Sequence, residues 1–319
     1  MNGVISVQPK LVLAGYACIE TILHVSALPD IGGRVTEDKQ QSRPGGRAGN
    51  AAIAAARLGV EASLCAMLGD DAEGRRLFNF YSDNRIDLHQ LKFTKEKPTG
   101  KEYLIHETYC DASRRLLYPG AADDIPLTQI AAAINGFPDA LFLTTELPFD
   151  VVCQAAHMAS GKGIPVYLDA LPVNSRMPLE HLPPLELFII DRPSAEIVAM
   201  CGKVTVENCL RAAAAIAKRV SAKYYIIRLP GQGFFVYDGK YHNIIAPEGV
   251  LAAPGKTICP VDTEGGALAA AYMLTGDIRR ACTISAVASR LARENHGISI
   301  ATRQQVVDYC RTYNLTLKR

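Results

Sequence analysis

Pro260-Val261-Asp262-Thr263-Glu264-Gly265-Gly266-Ala267-Leu268-Ala269 carries two carboxylates and a glycine pair ahead of an alanine-rich apolar run. The stretch predicts a helix beginning around Gly265. The first backbone N–H groups of such a helix have no partner within it and point outward. An acidic residue at that end, here Glu264, is favoured by about 0.3–1 kcal/mol of helix electrostatics.

Upstream, short apolar runs alternate with helical stretches. Residues 11–16 read as a buried first strand and 60–67 as a second, with helices over 48–58 and 74–84. Strands over 140–144, 166–169, 187–190 and 224–228 are separated by helices near 151–161, 195–201 and 206–220. Strands alternating with helices of this length predict a mainly parallel sheet covered on both faces. Residues 33–42 and 99–117 break the rhythm, being polar and close to alternation, as in Tyr103, Ile105, Glu107 and Tyr109. Central parallel strands are buried on both faces and read as continuous apolar runs. These two segments are therefore expected to project as a small sheet, and surface hairpins without a binding role would look the same.

The chain has 319 residues, 49% hydrophobic and 21% charged, with a formal charge of +2. That is ample material for a core, and the weak charge argues against nucleic acid or an anionic membrane as partner. Residues 1–10 have no cationic segment followed by an apolar one, so a cytoplasmic protein is expected. Nine cysteines lie singly with no C-x-x-C pair, which predicts reduced, mostly buried thiols. Seven histidines show no metal-binding spacing.

A second glycine cluster, Pro44-Gly45-Gly46-Arg47-Ala48-Gly49-Asn50-Ala51-Ala52, runs into Ala54-Ala55-Ala56-Arg57-Leu58-Gly59. Glycines at a helix start let a ligand approach the backbone. A dinucleotide fingerprint would directly follow the first strand, whereas this cluster lies roughly thirty residues later.

Together these segments resemble the ribokinase, or PfkB-type carbohydrate kinase, family. The C-terminal stretch is similar to its signature D-T-T-G-A-G-D, in which the glycine-rich turn opens a helix that holds the transferring phosphate. The closing Asp of the signature takes the proton from the sugar hydroxyl. Asp262, Thr263 and Gly265 fit, and Leu268 falls at the base position, where it accepts no proton. The resemblance implies an anion hole at Gly265, Gly266 and Ala267. It also implies a sugar site at Gly45, Gly46 and Asn50, with Glu20 of Gly15-Tyr16-Ala17-Cys18-Ile19-Glu20 standing for the family's Asp. Leu68–Gly74 and Tyr118–Ala122 resemble family segments too, so the likeness spans most of the chain.

The nucleotide side departs from the pattern. Leu171 stands for Asn in a D-x-N strand end, and Pro193 stands for Asn in the magnesium-linked N-x-x-E motif, where Glu196 remains. In the nucleotide turn T-L-G-x-x-G, Arg228 and Pro230 replace Thr and Gly while Gly233 is kept. Proline removes an N–H and fixes φ near about −65°.

The resemblance thus implies a ribokinase-like α/β sandwich over residues 1–319, with a lid from 33–42 and 99–117 that pairs two subunits. A sugar or similar ligand would bind, with ATP and Mg2+ as co-substrates if the protein is active and no cofactor otherwise. Leucine at position 268 predicts weak or lost phosphotransfer, with Glu264 opposing the incoming phosphate. Two alternatives stand beside this: an active sugar or nucleoside kinase using Glu264 or Asp262, and a non-catalytic partner-binding subunit.

Overall fold

A computed structural model of the protein describes residues 8–110, 112–246, 261–294 and 301–312, without the side chains of residues 261, 262, 293 and 294. Thirteen strands occur among these residues. In chain order they are β1 (Lys10–Ala14), β2 (Cys18–Val25), β3 (Lys39–Gly45), β4 (Glu61–Gly69), β5 (Leu91–Thr94), β6 (Lys101–Glu107) and β7 (Ala112–Tyr118). There follow β8 (Ala140–Thr144), β9 (Val166–Asp169), β10 (Leu185–Asp191), β11 (Ala222–Leu229), β12 (Gly233–Tyr237) and β13 (His242–Ile245). The helices are α1 (Arg47–Leu58), α2 (Ala72–Asp83), α3 (Leu127–Asn135), α4 (Phe149–Gly161) and α5 (Arg192–Ala199). After them come α6 (Cys209–Ile216), α7 (Val261–Thr275), α8 (Ile278–Glu294) and α9 (Arg303–Thr312).

Nine strands form the main sheet in the order β13-β12-β11-β10-β9-β8-β1-β4-β5. The run from β11 to β5 is parallel, and β12 and β13 are antiparallel additions at one edge. Strands with two buried faces need apolar residues at every position. Accordingly all of β8 is buried, as is β1 beyond Lys10. Successive residues serve opposite cores: Leu11, Leu13, Leu187 and Ile189 pack with α1, α7 and α8, whereas Val12, Ala14, Phe188 and Ile190 pack beneath α3 to α6. The expected mainly parallel sandwich is thus present. Among the described residues no helix is long and apolar enough to cross a membrane.

The second sheet has the order β3-β2-β6-β7. It contains two antiparallel hairpin-like pairs joined by the parallel pair β2–β6. The lid is real, but its expected boundaries need correction. Residues 33–38 carry no strand, β3 extends to Gly45, and the central strand β2 comes from residues that the apolar-run reading passed over.

Asp71 anchors the lid's base. Its side chain caps α2 by accepting from Gly74 N at 2.7 Å, and also accepts from Thr99 N at 2.8 Å and Thr99 Oγ1 at 2.7 Å. Partial burial raises its pKa, but the bonds from Thr99 and Gly74 prevail and hold it below the ordinary 3.8. Its stabilising contribution is therefore complete above that pH and is lost as pH falls through the lower folded value. Asp71→Ala is expected to lower stability by about 2 kcal/mol in denaturant melts, since a cap and a partner of buried Thr99 go together. That deficit should shrink in acid.

Candidate active site

Gly45 and Gly46 join lid strand β3 directly to α1. Gly46 has φ +85°, and a Cβ there would sit 2.5 Å from the Tyr16 carbonyl oxygen. The turn therefore requires glycine because it lies against the β1–β2 connection. Gly45 packs on Glu20, and the Asn50 N–H donates to the Gly46 carbonyl at 2.9 Å. These four predicted sugar-side residues are brought together in one corner.

Glu20 is not beyond the end of a main-sheet strand, as its sequence position suggested. It lies within lid strand β2, 3% exposed. Its carboxylate accepts from Nε of Arg43 on β3 and lies 3.5 Å from Nη1 of Arg115 on β7. Arg115 also donates to Glu102 on β6 at 2.8 Å.

Three further charged residues, Arg47, Glu146 and Asp123, border this corner and were missed from sequence. Arg47 opens α1, and its Nε lies 3.6 Å from the carboxylate of Glu146, just past β8. Tyr16 donates a short hydrogen bond to Asp123. The available signal was Thr145-Glu146 directly after the buried strand β8, at the carboxyl edge of the sheet where α/β folds place ligands.

Helix α7 corrects several expectations. It begins at Val261, not around Gly265, so Leu268 is its eighth residue. Leu268 is 0% exposed and belongs to the core shared with α1 and α8. It neither lies in the first turn nor points toward a cleft. Gly265, Gly266 and Ala267 fall in the second turn, where helix N–H groups already have partners four residues back. There Gly265 packs against Asp169 and Arg228, and Gly266 against the backbone of Ala51 in α1. These glycines admit close packing on two sides, and the outward N–H groups belong to residues 261–263. Asp262 is the second residue of the helix; its side chain lies outside the described residues.

Glu264 also turns away from the role expected for it. Its carboxylate accepts from Ser289 Oγ of α8 at 2.6 Å and lies 3.6 Å from Arg228 Nε, while its carbonyl accepts from Ser285 Oγ at 2.8 Å. Arg228 in turn grips Asp169 with two bonds, of 2.8 and 2.5 Å. Arg228 and Asp169 are 3% and 2% exposed. Burial alone would lower the guanidinium pKa, but Asp169 first and Glu264 after it raise it on balance, so the group stays charged. Glu264 therefore does not stand as an unopposed negative charge beside a phosphate.

The remaining nucleotide-side positions are separate from this cluster. Gly233 starts β12 with φ +90° and packs on the Ile245 carbonyl of β13. Glu196 accepts from Val204 N at 2.8 Å, which commits one carboxylate oxygen to the loop after α5 rather than leaving both for a metal.

A two-sheet α/β fold with a glycine turn, charged lid and helix N-terminus at one edge defines the ribokinase-like class. The model of the pfkB family carbohydrate kinases matches residues 8–305, and the chain belongs to that family. It is 26% identical over 308 residues to the bifunctional ribokinase/ribose-5-phosphate isomerase A of Fructilactobacillus sanfranciscensis, covering 94% of this chain and 56% of that one. It is 23% identical over 307 residues to ribokinase of Haemophilus influenzae, covering 95% and 98%. Arabidopsis thaliana ribokinase complexed with ribose and ATP superposes with a TM-score of 0.80 at 20% identity, covering 94% and 98%. Giardia lamblia ribokinase does so with 0.83 at 16% identity, covering 97% and 100%.

Proposed function

We propose that the protein is an ATP-dependent kinase of a sugar or sugar-like alcohol and that Asp262 is its general base. The observation that carries this is the start of α7 at Val261. The family places its closing Asp where the phosphate-holding helix begins, and in this chain the residue there is Asp262. In that register the preceding signature falls on Lys256-Thr257-Ile258-Cys259-Pro260-Val261, of which residues 256–260 lie outside the described residues. Leu268, one of the residues behind the expectation of weak or lost phosphotransfer, is fully buried in the core, whereas Pro193, Arg228 and Pro230 still depart from the family's pattern.

In the reaction, Asp262 takes the proton of an acceptor hydroxyl as that oxygen bonds to the γ-phosphorus of MgATP. The bond to the bridging oxygen breaks, and ADP leaves with the electron pair. Free N–H groups of residues 261–263 hold the transferring phosphoryl group, in keeping with phosphoryl transfer by positioning and electrostatics. Arg228 lies beside that turn and offsets Glu264 and Asp169. The ribokinase relatives make ribose the first acceptor to test. Sugar-stimulated ADP release by the purified protein is the expected result, and its absence across pentoses, hexoses and nucleosides would sink the proposal.

A second reading, a sugar binder with weak phosphotransfer, is favoured by Arg228 and Pro230 in the nucleotide turn. It predicts a sugar-induced rise in melting temperature without ADP release.

The outer lid face supports a homodimer. Tyr103 and Leu116 oppose each other across β6 and β7 with 37% and 60% of their surface exposed, and Tyr118 is 49% exposed. Light scattering at micromolar concentration should give twice the chain mass, and Leu116→Arg should reduce it to one.

A further inference from the structure

We propose that the acceptor carries an anionic group, phosphate or carboxylate, which docks on Arg43 at the base of the lid. The proposal rests on the kinase reading for the place of the site, and it concerns what the site binds.

Residues that oppose one another across a sheet share a face. Glu20 opposes Arg43 on one side and Glu102 on the other, so the three form one row across β3, β2 and β6. Arg115 opposes Leu104 on that same face and reaches diagonally to Glu102 and Glu20. Gly45, at the end of β3 where the glycine turn begins, packs on Glu20 of this face. A carboxylate that reads neutral hydroxyls does so through lone pairs left open to them. Glu20 instead spends its charge on two guanidinium groups.

Arg43 is the incomplete member. Its side chain is 14% exposed, its Nε is held by Glu20, and its Nη1 is shielded from water with no hydrogen-bond partner. An unmade bond from a charged, desolvated donor is costly, so oxygens that reach this edge of the fork gain more than a water-exposed contact would give. The planar guanidinium matches the paired oxygens of carboxylate and phosphate. With two arginines and two glutamates the row has no net charge, so an added anion is not opposed overall. In this arrangement Glu20 is a positioning residue that fixes the Arg43 fork, rather than a hydroxyl ligand.

Calorimetric titration without nucleotide tests the inference independently of turnover. The probes are ribose, ribonate, ribose 1-phosphate and ribose 5-phosphate, with inorganic phosphate and acetate as controls. At least one anionic sugar should bind about tenfold or more tighter than ribose, and whether ribonate or a phosphate wins identifies the group. Arg43→Gln should erase that preference, and Arg43→Lys should keep part of it. Ribose binding as well as every anionic probe, no binding by any anionic sugar, or an unchanged preference in folded Arg43→Gln would each overturn the inference. A wild-type protein that releases ADP with ribose but shows no anionic preference refutes this inference and leaves the kinase reading intact. Tight anionic binding without ADP release does the reverse.

Discussion

Asp262→Asn is expected to slow sugar-dependent ADP release by about 10²–10⁴-fold, the usual contribution of a general base. The loss should appear in kcat, because asparagine keeps the shape of the side chain and removes only its ability to take a proton. The melting temperature should stay close to that of the unmodified protein. Leu268→Asp gives the contrasting result. It places a carboxylate at a fully buried position among the side chains of α1, α7 and α8. A destabilisation of about 4 kcal/mol or more is expected, with no gain in turnover. Adding Glu264→Thr to Leu268→Asp should worsen matters, since Glu264 offsets Arg228 and bonds to Ser289. Full activity in Asp262→Asn would remove the base assignment, and rescue of a weak protein by Leu268→Asp would restore the opposite register.

Arg228→Met should be the most damaging single change on the nucleotide side. It leaves Asp169 buried without its two guanidinium bonds and Glu264 without its nearby cation. Breaking a buried ion pair from one side costs about 3–5 kcal/mol, whereas replacing the whole pair by apolar groups is often close to neutral. Arg228→Met with Asp169→Leu should therefore recover much of the stability lost in the single variant. Urea unfolding of the three proteins measures this directly. A double variant no more stable than Arg228→Met would mean that the pair is not the unit that matters. Since Arg228 also lies beside the first turn of α7, both variants should raise the KM for ATP even where folding is restored.

The sequence by itself determined the layered architecture, because burial on both faces of a parallel strand demands apolar residues at consecutive positions. That demand is local, and it is visible at 11–14, 140–144 and 187–190 without any knowledge of neighbours. It also marked the glycine turn at 45–46 and the projecting segment at 99–117, where alternation replaces the apolar run. Only the tertiary structure decided the register of α7. A glycine pair is read from sequence as a turn that opens a helix, yet here Gly265 and Gly266 lie inside one, thinned to fit between the sheet and α1. Likewise β2 became visible only through its partners: its half-polar residues are tolerated because they face Arg43 and Arg115 across a small sheet. Pairings such as Arg228 with Asp169 join residues 59 apart in the chain. They arise because β9 and β11 end beside the same helix, a proximity that no local spacing records.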